Sequence, residues 1–428
     1  MQPSAVFCTA RPPCLIYGFR DSPFQNEKKK KNRELTRNRW NGSYGLRLKS
    51  PRKKKEARGE RRMRSMALFS IPSSPLISSP TQANPNGSLR AKSSSLLFPQ
   101  HQLLLPSNTS NALSIKEELS LTSIPSLDDR REQSLVEQCI LRNQKHLKEL
   151  GSWGIGGPCS YFLQVSRPSQ LVAAIRYCRA RSIPLLILGK GSNCLFDDRG
   201  FDGFVLLNRL DQFQVVEPGV YRVGSGYPFN RLGVRCSIAG FSGLEFAGGI
   251  PGTVGGAVFM NAGAGGQETG DVIDSVEMVT VDGDFRVLRR SDMAFGYRCS
   301  TFQRMKDLAA IAAVTFRLVP AERTRERQRA FLERRRKSQP IGERSAGSVF
   351  RNPLGMGISA GELIEFAGLK GLEIGGAKVS KVHANFFINF NGSTSADMLA
   401  LINHVKERVD QMFGIELKEE IKYLPYRT

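Results

Sequence analysis

From Gly243 to Gly263 the chain reads Gly-Leu-Glu-Phe-Ala-Gly-Gly-Ile-Pro-Gly-Thr-Val-Gly-Gly-Ala-Val-Phe-Met-Asn-Ala-Gly, and no charged residue follows Glu245 in that run. A stretch so rich in glycine cannot be regular structure throughout, and its backbone has to make several tight turns. Such length without charge implies a buried surface lined by backbone, whose N–H groups need partners. Two kinds of partner are open: a sheet on which the segment packs as a tight crossover, or the pyrophosphate of a bound dinucleotide. A second cluster, Leu188-Gly-Lys-Gly-Ser-Asn193, directly follows the apolar run Ile183–Leu188. Its glycines let backbone N–H groups approach a phosphate, and Ser192 and Asn193 add donors. It lacks the spacer and Lys-Ser/Thr ending of a Walker loop, and it does not follow the GxGxxG fingerprint. Taken alone, it fits an ordinary strand-to-turn as well as a phosphate cradle.

The 428 residues hold two or three domains and enough apolar sequence for a sizeable core. No apolar run approaches the roughly 18 residues that span a bilayer, so no transmembrane helix and no membrane partner are expected. The net charge of +23 raises a nucleic-acid partner, but its distribution argues against one. Met1–Ser65 holds 19 Lys and Arg against 5 Asp and Glu, and the balance from Ile140 onward is only +10. A pocket for several phosphates accounts for that remainder. The eight cysteines, at 8, 14, 139, 159, 178, 194, 236 and 299, form no CxxC pair. Their scatter offers neither a zinc site nor a disulfide framework and fits a reducing compartment. Four unclustered histidines leave no metal site to expect.

Between Met66 and Ile115 there is no Asp or Glu, while Ser, Pro and Leu abound and Arg90 and Lys92 supply positive charge. That composition is the signature of an organellar transit peptide, with a generic disordered N-terminus as the alternative. The expectation is that translation begins at Met66 or Met63 and that the Lys/Arg-dense 1–65 is upstream sequence or a disordered leader. Residues 66–140 then read as transit peptide and disordered linker.

The folded part starts between Asn143 and Trp153. Leu171–Arg179 has helical spacing, and Phe204–Asn208 and Val220–Val223 read as short strands. Val276–Val281 and Phe285–Leu288 flank the hairpin turn Asp282-Gly-Asp284, and Ala310–Leu318 adds another strand. Arg323–Lys337 is a charged helix, read as a solvated linker over 323–339 between domains at 143–322 and 340–428. Beyond Pro340 come a Gly-rich loop, the amphipathic Gly361–Ala367, a strand over Ala384–Asn389, a helix over Ser395–Phe413 and a last strand over Ile421–Leu424. The pattern is mixed α+β, without a strict βαβ alternation.

The two glycine clusters, some 50 residues apart, together resemble the FAD-binding domain of the p-cresol methylhydroxylase (PCMH) type. Further matches follow in order: Phe295-Gly-Tyr-Arg298, Ala346-Gly-Ser-Val-Phe-Arg-Asn-Pro353, Gly368-Leu-Lys-Gly371, Gly375-Gly-Ala-Lys-Val-Ser380, His383-Ala-Asn-Phe386 and Gly414-Ile-Glu-Leu-Lys-Glu-Glu420. The series resembles the UDP-N-acetylenolpyruvoylglucosamine reductase (MurB) family, from about Asn143 to about Leu424. The resemblance implies a PCMH-type FAD-binding domain followed by a smaller C-terminal α+β substrate-binding domain. It also implies non-covalent FAD, reloaded by NADPH, and a UDP-sugar substrate, UDP-N-acetylglucosamine enolpyruvate, reduced to UDP-N-acetylmuramate.

Matched residue by residue, the resemblance gives Gly189, Gly191, Ser192, Asn193, Gly252, Thr253, Gly255, Gly256, Asn261 and Ala262 to the cofactor. It gives Arg298, Ser348 and Glu420 to catalysis, and Arg298 and Asn352 to substrate binding. The chemistry needs these types. A fixed cation, Arg298, stabilises the enolate formed when a hydride reaches the vinyl carbon. A hydroxyl, Ser348, can protonate so basic a carbon where water is excluded. Glu420 orients the carboxylate end, with Glu419 as the neighbour that strand alternation must separate from it. Lys190, Gly265 and Arg351 depart from the family's common residues. The compact run Ser348–Gly371 has no room for an inserted tyrosine loop, so the chain resembles the shorter of the family's two types. With the transit-like leader, the expectation is a plant or algal protein of the chloroplast stroma. Two competitors stand beside it: another flavin oxidoreductase on the same scaffold, and a non-catalytic plastid protein that binds flavin or nucleotide.

Overall fold

The structure is a computed structural model and describes residues 127–426. The expectations for 1–65 and for the Ser-rich stretch from Met66 lie outside the described residues.

In chain order the main elements of the N-terminal part are helix α1 (Leu127–Cys139), strand β1 (Cys159–Val165), α2 (Pro168–Ala180), β2 (Leu185–Leu188), β3 (Cys194–Phe196), β4 (Phe201–Asn208), β5 (Phe213–Glu217), β6 (Val220–Gly224), α3 (Phe229–Ile238), α4 (Val254–Met260), β7 (Ile273–Thr280), β8 (Phe285–Arg289) and β9 (Leu308–Arg317). The remainder adds α5 (Thr324–Ser338), α6 (Ala360–Phe366), β10 (Ala377–Val379), β11 (Phe387–Asn389), α7 (Ser395–Phe413) and β12 (Lys422–Leu424).

Strands β1 and β2 flank β4, parallel to it on both sides. Such strands are covered on both faces, which is why Leu185–Leu188 and Phe204–Leu207 run apolar without alternation. Helix α2 closes one face with Leu171, Ala174, Ile175 and Cys178. Helix α1 stands inside the 66–140 range expected to be leader and linker, and corrects that reading for residues 127–139. Val136 is buried in the same cluster as Leu171, and Glu132 accepts from Ser169 Oγ at 2.8 Å and pairs with Arg167 at 3.2 Å. With Val136 the one buried residue of 131–139, periodicity had little to register.

The second sheet is antiparallel in the order β8-β7-β9-β6-β5. The expected hairpin turn joins β7 to β8, with Thr280 Oγ1 accepting from the N–H groups of Asp282 and Asp284. Helices α3 and α4 cover the sheet, burying Phe229, Leu232, Val254 and Val258 against Val276 and Val314. Helix α4 lies within the glycine-rich block, which therefore holds one short regular segment between turns.

Helix α5 forms where a charged helix was expected but is not solvated all round. Thr324 and Gln328 are buried, and the only charged residue of the glycine block, Glu245, accepts from Arg327 Nη2 at 2.9 Å. Glu245 is 1% exposed, so this carboxylate ties the start of the block to α5.

Helix α7 covers the expected residues. Thr394 caps it, accepting from Asp397 N, and Gly414 ends it at φ +68°. It packs with α6, β10 and β11 on a core that also takes in Trp153, Ile155 and Leu195 from the N-terminal part. Trp153 Nε1 donates to Phe387 O at 2.8 Å, and Asn389 Nδ2 returns a bond to Trp153 O at 2.8 Å. The strand expected over Ala384–Asn389 is confined to β11, because His383–Phe386 closes a turn. Finally β12 leaves this core to pair parallel with β3, Lys422 opposite Cys194. That pairing sets the last strand against the loop after β2.

Candidate active site

The two glycine clusters meet. A Cβ on Gly189 would stand 2.4 Å from Thr253 Oγ1, and one on Gly191, at φ +58°, would stand 2.3 Å from Leu150 O. Ser192 Oγ donates to Pro251 O at 3.0 Å, stitching one loop to the other. Thr253 caps α4, its Oγ1 accepting from Gly256 N, while Gly255 N donates to Ser225 O at 2.8 Å and Gly252 O accepts from Phe229 N at 3.1 Å. Among the described residues nothing accepts from the backbone N–H groups of Lys190, Gly191, Ser192 or Asn193, nor from those of Gly252 and Thr253. A cluster of unpaired N–H groups on two loops packed together fits a pyrophosphate. Lys190 stands on its rim, and burial followed by the charges of Arg231 and Arg209 pulls its ammonium below the ordinary lysine range. The cradle therefore carries a net positive field.

Asn261 and Ala262 shape this region from behind. Asn261 is fully buried at φ +44°. Its Nδ2 donates to Glu268 Oε2 at 2.6 Å and to Gly296 O at 2.9 Å, and its Oδ1 accepts from Gly270 N at 2.8 Å. Ala262 N donates to Ala257 O, and Ala262 O accepts from Thr269 N and Oγ1. The direct cofactor contact expected of Asn261 is thus not open to its side chain, whose polar atoms are all engaged by protein.

Arg298, Glu420 and the Ser348 segment come together beside the cradle. Arg298 sits at φ +52°, an uncommon conformation for a residue with a Cβ. Its Nε donates to Glu420 Oε1 at 2.7 Å, Nη2 to Gly263 O at 2.9 Å and Nη1 to Asn261 O at 3.4 Å. The two glutamates, just ahead of β12, go separate ways, Glu419 taking Lys406 Nζ at 2.7 Å while Glu420 takes Arg298. Burial pushes the Glu420 carboxyl above its ordinary value, against the opposing charge of Arg298. Glu420 N donates to Val349 O at 2.7 Å, so Ser348 is one residue from the point where the carboxylate strand is pinned. Asn193 Nδ2 donates to Glu420 O at 3.2 Å, joining the cradle loop to the same strand. Ser348 is half-buried, and among the described residues nothing takes a hydrogen bond from its hydroxyl. Asn352 is exposed; its Oδ1 accepts from Ala360 N at 3.1 Å, and its N–H donates to Tyr297 Oη at 3.2 Å. That leaves the Asn352 amide nitrogen as the group able to reach a ligand.

Sequence reasoning passed over Lys422, Glu268 and Tyr297. Burial first, then Arg351, brings the Lys422 ammonium down to about 8. Its place at the start of the last strand, close behind Glu420 in sequence, was the available signal. Glu268 holds Asn261 and stands 3.9 Å from Arg298, a role with no sequence signature. The Arg298 guanidinium lies 4.9 Å from the centre of the Tyr297 ring. Arg351 Nε is buried with no hydrogen-bond partner among the described residues. No group of three or more His, Cys, Asp or Glu among the described residues is arranged to hold a metal ion.

Residues 159–289 match the model of an FAD binding domain, and residues 339–424 match that of the UDP-N-acetylenolpyruvoylglucosamine reductase C-terminal domain. Fold and site define an FAD-binding oxidoreductase with a PCMH-type N-terminal domain and a separate C-terminal domain. The UDP-N-acetylenolpyruvoylglucosamine reductase of Protochlamydia amoebophila is 49% identical over 280 residues, spanning 65% of this chain and 92% of the relative. That of Chlamydia felis is 43% identical over 281 residues, 66% of this chain and 93% of the relative. The crystal structure of the reductase from Thermus caldophilus superposes with a TM-score of 0.57 at 34% identity, covering 67% of this chain and 98% of that one. The chain belongs to the UDP-N-acetylenolpyruvoylglucosamine reductase family.

Proposed function

We propose that this protein reduces the enolpyruvyl ether of UDP-N-acetylglucosamine enolpyruvate to UDP-N-acetylmuramate, a step of peptidoglycan precursor synthesis. The observation that carries the reading is the Arg298–Glu420 pair, held at 2.7 Å beside a backbone cradle suited to a pyrophosphate. When bound, FAD supplies the hydride for the vinyl carbon, and NADPH restores the flavin. The chain's own residues handle the charge that follows. Arg298 is fixed by Glu420, Gly263 O and Asn261 O, so its guanidinium needs no reorganisation to stabilise a substrate enolate and carboxylate. Glu420 sets the orientation of that guanidinium. The Ser348 O–H, unclaimed by protein acceptors, gives its proton to the enolate carbon and recovers one from solvent. Neighbouring Val349 and Phe350 are 0% and 1% exposed, which keeps the segment rigid.

The short Ser348–Gly371 run supports placing the chain with the shorter type of the family. The Ser-rich, acid-free 66–115 segment supports import into a plastid, the stroma being the site of action.

The test is purification of the protein with its flavin spectrum recorded, and NADPH oxidation followed with and without the UDP-sugar. Substrate-dependent NADPH loss that disappears in Ser348→Ala, with flavin still bound and still reduced by NADPH, is the expected result. Reduced flavin that the UDP-sugar never reoxidises would refute the proposal.

A further inference from the structure

Arg298 is held in a turn that does not suit it. Phe295–Gly296 pairs antiparallel with Cys299–Ser300, so Tyr297 and Arg298 are the two loop residues of a tight hairpin. A positive φ at the second loop residue is ordinarily glycine's place, yet Arg298 takes it at +52°. Such a conformation persists only where the surroundings over-determine it. They do so on both sides of the turn. Before it, Gly296 O accepts from Asn261 Nδ2 at 2.9 Å. After it, Arg298 O accepts from Gln303 Nε2 at 3.2 Å, and the same nitrogen donates to Phe259 O at 2.8 Å. An amide nitrogen has two hydrogens. Gln303 uses them to join the Arg298 turn to the end of α4, the helix that Thr253 caps at the cradle.

Completing α4 does not account for Gln303. The carbonyl of Phe259 is among the helix's last, which need partners from outside it. It already has one, since Ser300 Oγ donates to it at 2.7 Å. What Gln303 adds is the bond to Arg298 O. A fixed carbonyl fixes ψ of Arg298, and the guanidinium then stays where Glu420 Oε1 at 2.7 Å and Gly263 O at 2.9 Å receive it. We infer that Gln303 is a positioning residue for Arg298, its side-chain amide holding the left-handed turn that aims the guanidinium at the reaction centre. This rests on the proposed function for what Arg298 does there.

The full chain with its flavin is compared with Gln303→Leu, Ser300→Ala, Arg298→Lys and the double variant Arg298→Lys/Gln303→Leu. The measurements are NADPH oxidation with the UDP-sugar, thermal melting, and a crystal structure of Gln303→Leu. Gln303→Leu should lower kcat about 10- to 100-fold, change KM for the UDP-sugar by less than about 3-fold and keep its flavin, as a misplaced group beside the reacting atoms does. Ser300→Ala, which loses the other bond to Phe259 O, should melt lower with kcat within about 2-fold of the wild type. In the Arg298→Lys background Gln303→Leu should cost no more than about a further 3-fold, because the group it positions is gone. Should Gln303→Leu not fold, Gln303→Asn, whose shorter amide cannot reach both carbonyls, gives the same kinetic reading. A kcat within about 2-fold of the wild type in a folded Gln303 variant overturns the inference. So do equal losses of kcat in Gln303→Leu and Ser300→Ala, or a double variant in which the separate losses multiply in full. Wild type that consumes no NADPH with the UDP-sugar would instead count against the proposed function. The crystal structure then decides, and an Arg298 guanidinium still set against Glu420 in Gln303→Leu overturns the inference.

Discussion

Replacing Asn261 by alanine should cost about 4 kcal/mol of stability before any ligand is present. The figure follows from the side chain's three bonds. One is to the Glu268 carboxylate and is worth about 2 kcal/mol, and those to Gly296 O and Gly270 N add about 1 kcal/mol each. Alanine at φ +44° adds strain that asparagine tolerates better. The flavin-free protein should therefore melt about 10 °C lower by circular dichroism. Asn261→Gly, which relieves the backbone but not the lost bonds, should lose the same about 4 kcal/mol without the added strain and so melt above Asn261→Ala. Flavin affinity should fall only in step with the weakened fold, and Arg298, whose Nη1 reaches Asn261 O, should lose part of its catalytic effect. The reasoning is refuted if flavin-free Asn261→Ala melts with the wild type while FAD binding collapses, since the side chain would then be a direct cofactor ligand.

Arg298→Lys should lower kcat by about 100-fold or more while leaving FAD content unchanged, read from steady-state kinetics and the flavin absorbance ratio, because lysine cannot hold Glu420 and Gly263 O with one planar fork. Glu420→Gln should reduce kcat more than it raises KM, since it loosens the guanidinium rather than removing a substrate contact. Lys422 is about 8 in the fold and about 10.4 when unfolded, so its charged form opposes folding below pH 8 and the opposition is relieved as pH rises from 8 to 10.4. Urea unfolding at pH 7.5 and pH 10 should show the wild type gaining about 2 kcal/mol relative to Lys422→Met, and an equal pH response in both proteins would sink this. Trp153→Ala should cost about 3–5 kcal/mol, as it empties a buried site that N- and C-terminal parts share and breaks the bond to Phe387 O.

Much of this arrangement is legible in the amino-acid sequence. Helix α7 forms over the Ser395–Phe413 stretch where a helix was expected, and the β7–β8 hairpin was legible in Asp282-Gly283-Asp284. The glycine clusters pointed to a backbone-lined cradle because glycine is the residue that removes side chains from such a surface. What could not be read was who stands behind whom. Asn261 looks like a ligand contact in a motif and is a buried strut in the fold. Helix α5 looks solvated because arginine dominates its composition, yet Gln328 and Arg335 are the residues it lays on Gly248 and Gly249. Helix α1 was missed because its docking rests on Val136 and on polar pairs such as Glu132 with Ser169, which leave no apolar period.

The parallel pairing of β12 with β3 has a consequence for biosynthesis. A ribosome delivers the residues of both sheets and of the cradle long before it reaches residue 420, yet the Arg298 partner and the strand beside Asn193 arrive only with residues 420–424. Until then the edge of Cys194–Phe196 stays open, inviting a foreign strand. Nascent chains and products of premature termination would therefore lack both the reaction centre and the C-terminal strand that steadies the Asn193 end of the cradle. A chaperone's value to this protein lies in shielding that edge during the interval.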